Sequence, residues 1–70
     1  MSKLSLFDDG IRIATITKID NSVFLFARSS REWSEIKRLI NSFNSKDKNF
    51  LELVAEKAHS YNFSTELLNE

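Results

Sequence analysis

The one imidazole in the chain, His59, is the first residue to weigh for chemistry. Glu52 and Glu56 stand seven and three residues upstream, and on a helix that spacing gathers both carboxylates on the imidazole's side. One histidine with two glutamates is a thin ligand set for a metal, and a histidine near a helix C-terminus is already favoured by the macrodipole. Asp8 and Asp9 have the composition of an acid–base pair, but they precede Gly10, and Asp-Gly is turn chemistry. A serine nucleophile would need His59 as its base and a third group to orient it, and no nucleophile-elbow spacing surrounds any serine. The single glycine leaves no phosphate-cradling loop, and the absence of cysteine removes thiolate metal sites, redox pairs and disulfides. No catalytic residue, metal or cofactor is expected, and the chain reads as a non-enzyme.

Cations are the next candidates. The formal net charge is zero, from ten basic and ten acidic side chains, so there is no bulk attraction to nucleic acid or to an anionic membrane. The charge is unevenly placed, however. Residues 28–48 carry Arg28, Arg31, Lys37, Arg38, Lys46 and Lys48 against Glu32, Glu35 and Asp47, a net of +3. Residues 49–70 carry Lys57 against Glu52, Glu56, Glu66 and Glu70, a net of −3. A small nucleic-acid-binding regulator is therefore the alternative expectation, using the basic 28–48 segment with Lys37 and Arg38, or a sheet face shared by Lys3, Arg12 and Lys18. The plainer account is that opposite charges on two helices attract each other or solvate outer surfaces.

These side chains must be positioned by local elements, and the periodicity changes once along the chain. Leu4 and Leu6 sit two apart, Asp8-Asp9-Gly10 supplies a hairpin turn, and Ile11 to Ile19 is β-branched at Ile11, Ile13, Thr15, Ile16, Thr17 and Ile19. Asp20-Asn21-Ser22 is a second turn, and Val23 to Ala27 a third strand. From Ser29 the period becomes helical. Ser29-Ser30-Arg31-Glu32 matches a capping box, and Trp33, Ile36, Leu39, Ile40 and Phe43 form one apolar stripe that stops near Phe43. A second helix is expected from about Lys48 to Tyr61, with Asn62 as a left-handed cap and one short turn from Ser64 carrying Leu67 and Leu68. The expected architecture is a single α+β domain over residues 1–70: a three-stranded antiparallel β-meander followed by two α-helices, β-β-β-α-α, packed on one sheet face.

Seventy residues bury only about 60% of the unfolded surface, so the core alone is marginal and association with another chain would help. The sheet has two faces and the helices cover one. In the second strand, Ile11, Ile13, Thr15, Thr17 and Ile19 are expected to form an apolar face and Arg12, Ala14, Ile16 and Lys18 a mixed one. In the third, Val23, Leu25 and Ala27 point one way and Phe24 and Phe26 the other, so apolar surface is left over. The alternative is a twisted sheet wrapped fully by its helices. Trp33, in line with Ile36 and Ile40, is expected in the core or, on the functional reading, as an interface anchor.

The segment Phe50-Leu51-Glu52-Leu53-Val54-Ala55 followed by Tyr61-Asn62-Phe63-Ser64 resembles the end of the nitrogen-fixation-related leader-peptide domain found ahead of bacterial peptide natural products. Ser60 stands where that family shows glycine before the aromatic, and the family's cleavage glycines and cysteine-rich core peptide are missing. An N-terminal sheet does not fit it either, so no role is carried over. The expected function is a non-enzymatic protein-interaction module, an adaptor, inhibitor or regulator of a larger protein. Its compactness and independence from cofactors are, by analogy, common among accessory proteins of bacteria and their phages. A homodimer is expected because symmetric dimers are the commonest oligomers. Phe24, Phe26 and Trp33 are the expected contacts, with Arg28 and Arg31 at the rim. The longest apolar run, Val23 to Ala27, is far below the roughly 20 residues of a membrane span. With no signal-peptide pattern at the start, the expected compartment is the cytoplasm, and the chain reads as an intact short reading frame.

Overall fold

The computed structural model describes residues 1–69; Glu70, counted above in the acidic balance, lies outside the described residues. Six elements run β1 (Ser2–Asp8), β2 (Ile11–Ile19), β3 (Ser22–Ala27), α1 (Ser30–Ile40), α2 (Phe50–His59) and β4 (Ser64–Asn69). The strands form one antiparallel sheet in the order β3-β2-β1-β4. Both hairpins form at the expected turns. Asp9 and Gly10 take φ of 54° and 80°, the positive values a tight primed turn requires, and Asp20 takes φ 55° in the second.

The expected α+β class and the β-β-β-α-α order hold, with one element more than expected. Residues 64–69 are a fourth strand, not a short helical turn. Asn62 is left-handed at φ 67°, and the Phe63 and Asn62 amides donate to the Ala58 and His59 carbonyls, closing α2 in a Schellman-type end. That reversal returns the chain to the free edge of β1, where Leu67 stands opposite Leu4 and Thr65 opposite Leu6. The pairing satisfies backbone groups along β1 that a three-stranded sheet would leave open.

A second correction concerns β2. The register against β1 shifts between Leu6 and Phe7, so Leu6 faces Ala14 while Phe7 faces Arg12, and Ile13 is the extra residue of a β-bulge. The bulge turns Ile13 and Ala14 to the same side, and both are buried. Beyond it, Ala14, Ile16 and Lys18 lie on the helix-covered face and Thr15, Thr17 and Ile19 on the open one. The expected apolar and mixed faces are thus exchanged over most of the strand, as a one-residue slip requires.

The core lies between the sheet and the helices. Leu4, Leu6, Ile13, Ala14 and Ile16 meet Ile36, Leu39 and Ile40 of α1 and Phe50, Leu51, Val54 and Ala58 of α2. The first helix is shorter than its apolar stripe, ending at Ile40 with Asn41 as its C-cap; Phe43 packs against the core from the following turns. The helix α2 is likewise shorter than expected at both ends. In the packing, α1 lies over β3 and β2, and α2 over β4 and β1.

Candidate protein interface at strand β3

The helices leave one sheet face uncovered. Two rows of cross-strand neighbours define it: Phe24, Thr17, Lys3 and Leu68, then Phe26, Thr15, Ser5 and Glu66. Thr15, Thr17 and Ser5, with Lys3, occupy its centre; Phe24 and Phe26 form the β3 margin, and Leu68 and Glu66 the β4 margin. Ser5 is enclosed by its neighbours to 9% exposure, whereas Phe24 and Phe26 on the edge strand are 56% and 73% exposed. Ile19 and Leu68 add to the same face. The alternation in β3 sends Val23, Leu25 and Ala27 inward to pack against the core, as expected.

Trp33 departs from the core reading. It is 43% exposed, with the Lys37 ammonium 6.0 Å from its ring centroid. The physical reason is the position of α1 at the rim of the sheet. Its Glu35 and Leu39 flank borders a groove of about 580 Å³ shared with Tyr61 and Phe63, on the side of α2. Trp33 and Lys37, on the other flank of the Ile36–Ile40 stripe, are turned towards β3, beyond which no described element lies. Phe24 and Phe26 on one side of the sheet and Trp33 on the other therefore share the β3 margin, not a common face.

The two expected rim arginines are engaged by acidic residues of α1. Arg28 forks onto Glu32, Nε to Oε1 at 3.0 Å and Nη2 to Oε2 at 2.7 Å, and Arg31 reaches Glu35 at 3.4 Å. Ser29 caps the helix as expected, its hydroxyl accepting from the Glu32 amide at 3.2 Å and donating to the Glu32 carboxylate at 2.9 Å. The Arg28 hydrogen bond is the main cause holding the Glu32 carboxyl below its ordinary range, against a smaller opposing effect of desolvation; the same bond is the main cause raising Arg28. Stability from this pair is complete above the ordinary glutamate pKa and is lost as pH falls through the lowered folded value. Glu32→Gln is therefore expected to flatten the acid limb of a urea-midpoint profile taken from neutral to acid pH. Equal slopes in both proteins would contradict that.

The expected cationic sheet face does not assemble. Lys3 lies on the open face, as does Arg12 by its register with Phe7. Lys18 is on the helix side, its ammonium donating to the Asp47 carbonyl at 3.0 Å and standing 5.9 Å from the Phe50 ring centroid. Lys37 and Arg38 are on α1, across the sheet from Lys3 and Arg12. His59 meets Thr65, Nε2 to Oγ1 at 3.0 Å, and no cluster of three metal-ligating side chains occurs among the described residues. No helix among them is long and apolar enough to cross a membrane.

The open-face apolar group is larger than the sequence indicated. Ile19 and Leu68 were missed because each depends on a non-local feature: the β2 bulge for Ile19 and the β1–β4 pairing for Leu68. Comparison with protein-family models, curated proteins and solved structures finds no match to this chain.

Proposed function

We propose that this chain is a non-enzymatic protein-interaction module, an adaptor, inhibitor or regulator that docks on another polypeptide through strand β3. The observation that carries this reading is the pair Phe24 and Phe26, more than half exposed and adjacent on the solvent side of an edge strand. On the scale of about 150–250 Å² for an aromatic side chain, the two present roughly 200–300 Å² of apolar surface, and Ile19 and Leu68 on the same face enlarge it towards the size of patch that often serves binding. The neutral net charge and the division of the cations between two sides of the domain support a protein partner over a phosphate backbone.

The test is capture of partners by the tagged chain and by a Phe24→Ser, Phe26→Ser variant, with and without nuclease. A stoichiometric protein retained by the first, lost by the folded second and indifferent to nuclease is the expected result. Material that disappears with nuclease and is unaffected by the double substitution would overturn the reading in favour of nucleic acid.

A further inference from the structure

The backbone of β3 supplies a more specific partner. The Arg28 amide donates to the Ile13 carbonyl at 2.8 Å, so residue 28 points its backbone groups towards β2. By alternation Phe26, Phe24 and Ser22 do the same, and the N–H and C=O groups of Val23, Leu25 and Ala27 point away from the sheet. From Ser22 to Ala27 this free edge carries no charge, proline or bulge, the devices that usually protect an edge from pairing.

We infer that a second copy of this chain pairs antiparallel with the β3 edge about a two-fold axis at Leu25, joining two four-stranded sheets into one. This deepens the protein-interaction reading and rests on it. The strand is nearly palindromic about Leu25: Val23 answers Ala27 and Phe24 answers Phe26. Centring the two-fold there makes Leu25–Leu25 and Val23–Ala27 the hydrogen-bonded pairs, using the three outward-pointing residues. Each Phe24 then stands opposite Phe26 of the other copy on the open face, the favoured aromatic cross-strand arrangement. On the helix side the two Trp33 flanks approach the joint. Asp20 of one copy falls towards Ser30 of the other, at the electropositive N-terminal end of α1, so no acid meets an acid. Phe24, Phe26 and Trp33 together offer on the order of 250–450 Å² per copy, roughly a third to a half of what a standard interface buries per partner, before any backbone area is counted. The dimer is accordingly expected to dissociate on dilution through the micromolar range.

Amide hydrogen exchange of the intact chain, read by NMR beside sedimentation equilibrium, tests this. At about 1 mM protein the mass should approach twice 8.1 kDa and the amides of Val23, Leu25 and Ala27 should be protected. At about 10 μM those three amides should exchange at least tenfold faster, while Phe24 and Phe26, bonded to β2, change much less. A chain assembled with N-methyl-Leu25, which keeps every side chain, should stay folded and monomeric. A wild-type monomer at 1 mM overturns the inference, and so does a dimer in which those amides stay unprotected, because it must join by the sheet faces. Either result leaves the Phe24/Phe26 capture experiment to decide the broader reading separately.

Discussion

Phe50→Ala is expected to leave the chain largely unfolded at room temperature. Phe50 is the largest side chain with no exposed surface, and it sits at the start of α2, where that helix meets the strands. Removing a buried phenylalanine costs about 3–5 kcal/mol through lost transfer energy and the cavity left behind. A domain of this size has only a few kcal/mol to lose, with no disulfide to limit the unfolded ensemble. The Lys18 ammonium, drawn over the ring and anchored on the Asp47 carbonyl, would also lose its support. Far-ultraviolet circular dichroism in a urea series measures the effect. A midpoint within experimental error of the wild type would show that the α2–sheet contact is not what holds the fold.

Leu67→Asp is expected to be nearly as damaging, although Leu67 is only half-buried and close to the C-terminus. It stands opposite Leu4 on the helix side of β4, the strand on which α2 rests. A carboxylate there gives up apolar burial and must be desolvated among Leu4 and its neighbours, together roughly 2–4 kcal/mol. Once β4 leaves, β1 becomes an edge and the backbone groups it shared with Ser64–Asn69 lose their partners. Leu68→Asp, one residue on and facing solvent, is the matched control and should cost little. A contrast between these neighbours in denaturant midpoint is what a strand predicts. Equal effects would favour a helical or disordered C-terminus.

That contrast also marks where the sequence was legible. The hairpins were readable because Asp9-Gly10 and Asp20 suit positive φ, and Ile11 to Ile19 because its β-branched residues crowd a helix. The change of period at Ser29 was readable because a cap is a local hydrogen bond between residues three apart. The fourth strand was not: Ser64-Thr65-Glu66-Leu67-Leu68-Asn69 has weak β-propensity, and its strand character comes from β1, some sixty residues earlier. The bulge at Ile13 was hidden for the same reason, since an extra residue in β2 is defined only against the strand opposite. At the candidate interface, Phe24 and Phe26 were found by alternation within one strand. Trp33 shows the converse: its place on the apolar stripe was clear, but whether that flank would be covered depended on α1 lying over the last strand of the sheet.

If Phe24 and Phe26 serve contact with another chain, as proposed, the fold does not need them. The most direct measurement is urea unfolding of the Phe24→Ser, Phe26→Ser variant at low micromolar concentration, with its sedimentation compared with wild type at high concentration. Wild-type helical dichroism, a midpoint close to that of the wild type, and loss of association are the expected results. A variant that has lost its helical signal would show that the fold needs both rings and would overturn the proposed contact role.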